Sequence, residues 1–185
     1  YQYKYDRSPN EPIFEFKNRA LIHFALDTEN VFMTTRLQGE NTYFLPFNQG
    51  SNGAGNIGGK GNPVCEDNYD TSYLWNKVLT KDMLLEILSK YIHLEVSEKD
   101  GEKKEVVIFP RFHQLDVVSK LIESVKEIGS GKNYLIQHSA GSGKSNSIAW
   151  LAYRLACLHR NNKRVFASVI VVTDRKVLDT QLQDT

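Results

Sequence analysis

NYLIQHSAGSGKSNSIAWLAYRLA, residues 133–156, is the stretch on which the reading of the fold turns. Residues 133–137 form a short apolar run, expected as a buried strand. A turn crowded with Gly141 and Gly143 follows, and Ile148, Leu151, Ala152, Leu155 and Leu158 then recur on one helical face. A strand, a glycine turn and a helix start in that order aim several backbone N–H groups at one point, where the helix dipole adds positive potential. Glycine is needed because side chains would hold the backbone away from phosphate oxygens. Lys144 is then placed to reach β- and γ-phosphates, and the Ser145 hydroxyl to ligate Mg²⁺. His138 stands where the P-loop pattern has its first glycine, while Ala140-Gly141-Ser142-Gly143-Lys144-Ser145 keeps the end that meets phosphate. A Gly-Ser turn with Lys144 as an ordinary surface cation is the bland alternative, and the strand and helix on either side weigh against it. The expected ATP-binding set is therefore His138, Ser139, Ala140, Gly141, Ser142, Gly143, Lys144 and Ser145, with Mg²⁺ held at Ser145 through Mg-ATP.

Outward from this loop, strands and helices alternate. VVIF (residues 106–109) reads as a short strand before Pro110. Leu115, Val118, Ile122 and Val125 mark one helical face, which the GSG at residues 129–131 ends. SVIVVT (residues 168–173) is a continuous apolar run, as expected for a parallel strand covered on both faces. Strand, loop, helix and strand make a crossover unit, so this half reads as the start of an α/β ATPase core.

The first half is organised differently. IFEF, LIHFALD and VFMTTRL, between residues 13 and 37, are expected strands, the last two joined by a hairpin at Thr28-Glu29-Asn30. Six of the twelve glycines fall between Gly50 and Gly61, a composition that resists regular structure. Leu74, Val78, Leu85, Ile87, Leu88 and Tyr91 recur at helical spacing over residues 71–91. SEKDGEKKE (residues 97–105) is charged and reads as an exposed linker, which puts a domain boundary between residues 105 and 106.

Composition narrows the class without deciding it. A 41% hydrophobic and 24% charged chain of 185 residues is ordinary for a folded domain or two. Lys and Arg number 23 against 22 Asp and Glu, so any basic groove for nucleic acid must be local. Cys65 and Cys157 lack partners at metal-ligand spacing, which argues against a zinc site and for a reducing compartment. No apolar run approaches the ~20 residues of a membrane span. The chain opens at Tyr1 and reads as a piece of a longer polypeptide.

Two further segments set the kind of P-loop protein. FPRFHQ (residues 109–114) lies about thirty residues before Lys144 and is similar to the adenine-reading Gln motif of superfamily-two helicases and translocases. The Gln114 amide can donate and accept at once on an adenine edge. VIVVTDRKVLDTQL (residues 169–182) resembles the strand and helix that follow the P-loop in such motors, where Thr173 and Arg175 would grip a DNA phosphate. With residues 137–156, these stretches closely resemble the restriction (R) subunit of type I restriction–modification enzymes. FEFKNRALIHFALDTENVFMTTRL (residues 14–37), FLPFNQG (residues 44–50) and TSYLWNKVLTKDMLLEIL (residues 71–88) carry the resemblance over nearly all of the chain.

The resemblance implies an α/β architecture. Residues 1–105 would hold the end of a PD-(D/E)xK-type nuclease domain plus a helical linker, and residues 106–185 the start of a RecA-like parallel-sheet motor. It implies a cytoplasmic ATP-dependent DNA translocase coupled to DNA cleavage, using ATP and Mg²⁺. Its partners would be duplex DNA and the methyltransferase (modification) and specificity subunits.

Glu15-Phe16-Lys17, with Asp6 before it, fits a nuclease's metal-binding carboxylates and water-activating lysine. Strand alternation explains FEFK equally well without chemistry. The resemblance places the catalytic triplet upstream of this segment, and the family's Gln-xxx-Tyr element is not matched by Gln2, since the tyrosines stand at Tyr1, Tyr3 and Tyr5. Gly53, Gly55 and Gly58 spell G-x-G-x-x-G but lack the strand and helix that a dinucleotide site requires, and read as a flexible loop. No Asp-Glu pair follows Val172, so the segment alone is expected to bind Mg-ATP without turning it over. A small-molecule P-loop kinase and a non-enzymatic docking module are the competing classes.

Overall fold

The computed structural model describes residues 1–99 and 101–173, which fall into two units, Tyr1–Phe112 and His113–Thr185. In the first, a short helix α1 (Gln2–Tyr5) leads to a three-stranded antiparallel sheet in the order β1 (His23–Leu26), β2 (Val31–Thr34), β3 (Leu45–Pro46). The hairpin expected between the first two strands forms, with Leu26 opposite Val31. Asp27 shapes its turn by accepting the N–H groups of Glu29 and Asn30 at 2.8 and 2.7 Å. Those two N–H bonds hold its carboxyl below the usual range.

The strand expected at residues 13–16 does not form. Pro12–Phe14 is instead a turn of 3-10 helix, and only Phe16 bridges to Ala20. Pro12 has no N–H for a ladder and its fixed φ suits the first position of a helical turn. Lys17, at φ 67°, then breaks any extension of the run.

The core of this unit is aromatic. Phe47, fully buried, meets Phe24 at 5.3 Å, Phe112 at 5.8 Å and Phe109 at 6.2 Å between ring centroids. Tyr73 packs edge-on against Phe112 and donates its hydroxyl to the Phe47 carbonyl at 2.7 Å. Burial pushes the Tyr73 phenol up from its usual range. Tyr73→Phe keeps the ring but removes that donor, and is expected to cost about 1–2 kcal/mol in chemical denaturation. A loss below the error of the measurement would show that the bond contributes nothing net.

Residues 71–91 form two helical pieces where one helix was expected. Leu74–Val78 is a π-turn and α2 spans Lys81–Lys90. Between them Thr80 is extended (φ −64°, ψ 151°), and its hydroxyl donates to the Lys77 carbonyl. The break rotates the second piece. Leu74, Val78, Ile87 and Tyr91 stay buried while Leu85 and Leu88 turn outward.

The charged stretch at residues 97–105 is not an open linker. It belongs to an antiparallel hairpin of β4 (His93–Lys99) and β5 (Glu102–Ile108), in register from His93 opposite Ile108 to Ser97 opposite Lys104. The residues expected as a strand at 106–109 largely fall in β5, whose partner is antiparallel and adjacent in sequence. Gly101, at φ 80°, supplies the positive φ that a tight hairpin turn needs.

The second unit has α3 (beginning at Phe112, the last residue of the first unit, and ending at Ile128), α4 (Lys144–Ala156) and a small hairpin of β6 (His159–Arg160) and β7 (Lys163–Arg164). The expected apolar face of α3 is buried at Leu115, Val118, Ile122 and Val125. Gly129 closes the helix at φ 82°, and its N–H reaches the Val125 carbonyl at 2.8 Å. Arg160 donates to the Glu127 carbonyl at 3.1 Å in the same last turn.

The parallel sheet is the main correction. Residues 133–137 and 168–173, expected as buried strands, carry no ladder among the described residues. Leu135 is 94% exposed and Val172 89%. Every sheet described is antiparallel and joins segments close in sequence, giving a mixed α/β fold. An antiparallel hairpin completes its hydrogen bonds locally. A parallel strand needs a neighbour reached through a crossover, and among the described residues neither run has one. No helix among the described residues is long and apolar enough to cross a membrane.

Candidate nucleotide-binding site

The glycine loop sits where the sequence put it, directly before α4. Gly141 and Gly143 both adopt left-handed backbone, at φ 72° and 79°. Gly143 is the N-cap of α4, so Lys144 opens the helix and its first-turn N–H groups have no intrahelical partner. A Cβ on Gly143 would lie 2.5 Å from the Gln114 amide nitrogen, whereas one on Gly141 would meet nothing within 4 Å. Backbone conformation thus calls for glycine at both positions, and at 143 an added Cβ would also displace the Gln114 amide.

Lys144 bends back over its own loop. Its Nζ donates to the Ser139 carbonyl at 2.8 Å and the His138 carbonyl at 3.3 Å. A phosphate oxygen carries formal charge and is the stronger acceptor, so these bonds are ones a phosphate can replace. Among the described residues the Ser142 hydroxyl is buried without a hydrogen-bond partner. Left-handed glycines, a helix start, a displaceable ammonium and an unpaired hydroxyl together suit a phosphate chain. Ser145, half-buried in the first turn, has the hydroxyl that Mg²⁺ would need.

Two neighbours on α3 hold the loop from behind. Gln114, only 4% exposed, donates its amide to the Gly143 carbonyl at 2.7 Å. His113 brings its Nε2 to 3.0 Å from the Ser142 carbonyl. The His113 ring also meets the His138 ring edge-on, at 5.0 Å and 88°. Burial, and then the nearby Lys144 charge, lower the His138 pKa, so its ring stays neutral near pH 7. Behind the loop lies a cavity of about 260 Å³, walled mainly by apolar side chains of α3 and α4, with His138, Lys144 and Ser147 as its polar groups.

Gln114 therefore sits beside the loop as the sequence spacing implied, but with its amide nitrogen on the loop backbone. Sequence reasoning passed over His113. The available signal was its position next to Gln114 at a helix start, which sends two consecutive polar side chains toward whatever crosses that end. Thr173 is partly buried and outside regular structure, and Arg175 lies outside the described residues.

The nuclease candidates are arranged otherwise. Glu15 accepts from the Asn18 amide at 2.7 Å, and Lys17 pairs with Glu105. Asp6 caps the short α1. Among the described residues no group of three or more His, Cys, Asp or Glu side chains could hold a metal ion. Gly53, Gly55 and Gly58 lie in a loop bonded to itself, with the Gly59 N–H on Ser51 Oγ at 2.7 Å and Asn52 on the Ile57 carbonyl at 2.7 Å. Both cysteines are free and exposed.

Residues 113–185 match the family model of the SWI2/SNF2 ATPase. The matched residues coincide with the second unit and contain the whole glycine loop. The match supports a superfamily-two, helicase-like ATPase with translocase-like activity in this part of the chain. No curated protein and no solved structure matches the chain.

Proposed function

We propose that the chain is the ATP-binding segment of the DNA-translocating restriction subunit of a type I restriction endonuclease. In this reading residues 1–105 belong to the end of the nuclease domain with its helical linker, and residues 106–185 open the first motor domain. The observation that carries the reading is the braced glycine loop ahead of α4, within residues that match a SWI2/SNF2 ATPase. The resemblance of the segments on both sides to the type I R subunit supplies the finer identity.

The residue roles follow from the chemistry. Backbone N–H groups of residues 141–145 face the phosphates, Lys144 neutralises the terminal ones, and Ser145 ligates Mg²⁺. Mg²⁺, when bound, would be held at Ser145 and would supply positive charge against the phosphates. Gln114 reads adenine with its carbonyl end while its amide stays on the Gly143 carbonyl. Thr173 and Arg175 grip a phosphate of duplex DNA. Methyltransferase and specificity subunits supply target recognition.

Displacement of a triplex-forming strand from a long duplex tests the motor directly. The full-length protein, assembled with those subunits, is expected to displace the strand only with ATP and to cleave unmodified DNA bearing its target. DNA binding that weakens with salt but ignores ATP would instead indicate a docking module. Displacement without cleavage would retain the motor and remove the restriction role.

A further inference from the structure

We propose that His113 is a positioning residue of the phosphate loop, holding the loop's amides outward through the Ser142 carbonyl. The proposal rests on the reading of this loop as the nucleotide site.

In a trans peptide the C=O and N–H of one plane point in opposite directions. Fixing the Ser142 carbonyl toward α3 therefore turns the Gly143 N–H away from α3. Fixing the Gly143 carbonyl does the same to the Lys144 N–H. His113 and Gln114 hold these two carbonyls, at 3.0 and 2.7 Å. Neighbouring side chains on one helix turn thus set two successive peptide planes in the part of the loop that faces phosphate.

The anchor is well buried. Leu115, Val118 and Ile122, on the turns that follow, are 4, 1 and 2% exposed. Without the two bonds the left-handed glycines leave the loop free to rotate those planes, because glycine populates positive and negative φ with similar ease. His113 also spans the loop. Its ring touches His138, the first residue, and its Nε2 meets Ser142, the fifth. Since a carbonyl only accepts, His113 Nε2 carries the proton in this bond. The contribution is orientational: His113 meets no phosphate itself, so triphosphate binding should register its loss with or without an adenine attached.

The test compares Mg-ATP and Mg-tripolyphosphate, each competing with a fluorescent ribose-labelled ATP on the full-length protein. His113→Ala is expected to weaken both ligands about tenfold, equivalent to about 1.4 kcal/mol. KM for ATP should rise by a similar factor, with kcat at saturation changed less than about threefold. His113→Gln retains an N–H donor and should recover most of the affinity. Lys144→Ala serves as the reference. If it loses binding while His113→Ala binds both ligands like the unaltered protein, the positioning role is wrong and the nucleotide site stands. Equal losses in His113→Ala and His113→Gln, with a lowered melting temperature in both, would also overturn it. If Lys144→Ala itself binds normally, the nucleotide reading fails and takes the proposal with it.

Discussion

Lys144→Ala in the full-length protein is expected to lower ATP turnover at least about a hundredfold, the scale on which removing one preorganised charge-stabilising donor slows a reaction. The effect should fall on chemistry rather than on folding. Lys144 is exposed and, among the described residues, its ammonium bonds two carbonyls of its own loop, so removing it leaves no described buried group unpaired. Stability should change by less than about 0.5 kcal/mol, as for other surface substitutions. A calorimetric melt beside the turnover assay separates the two effects. Turnover reduced less than about threefold would mean that the nucleotide does not lie on this loop.

Phe47→Ala is expected to produce the largest loss of stability, about 3–5 kcal/mol, as for other buried phenylalanines cut to alanine. Phe47 is fully buried and contacts three other phenylalanine rings, drawn from β1, from the residue just after β5 and from the start of α3. Its backbone is tied as well. Its N–H reaches the Val31 carbonyl at 2.8 Å, and its carbonyl accepts from Tyr73. Truncation empties the middle of an aromatic cluster whose members are held from several sides, so the space cannot collapse cheaply. Urea denaturation followed by tryptophan fluorescence would measure it, and a loss below about 1 kcal/mol would show that the ring is not central to this unit.

The glycine loop at the start of α4 was legible because its signal is chemical and local. Gly141, Gly143, Lys144 and Ser145 occupy fixed positions at a helix start, and the structure keeps each there. The turn at Asp27–Asn30 was legible for the same reason, since short polar residues between two apolar runs close on themselves. What failed was long-range or masked by composition. The runs at 133–137 and 168–173 have the apolar character of covered strands, but a ladder depends on neighbours that no window of sequence displays. The hairpin at 93–108 was hidden by its charges. The readable sign was the Asp-Gly pair at residues 100 and 101, a stronger hairpin signal than the surrounding charge is a linker signal.

The split of the expected helix at Thr80 shows a third limit. Periodicity alone joined Leu74 to Tyr91, yet a β-branched residue suits the start of a helix better than its interior. At the site, the placement of Gln114 was only half legible. Its spacing to Lys144 brought it beside the loop, while the direction of its amide depended on where α3 sits against the loop. Sequence could not supply that geometry, and it is also what brings His113 into the site.

Steady-state ATP hydrolysis by the unaltered full-length protein, measured as duplex DNA is titrated in, addresses the central claim most directly. Hydrolysis that rises severalfold with duplex, and returns to its basal rate when the DNA is digested, is the expected result for an ATPase that moves along DNA. A rate indifferent to duplex at every concentration would contradict it and leave a nucleotide-binding loop in a protein of another kind.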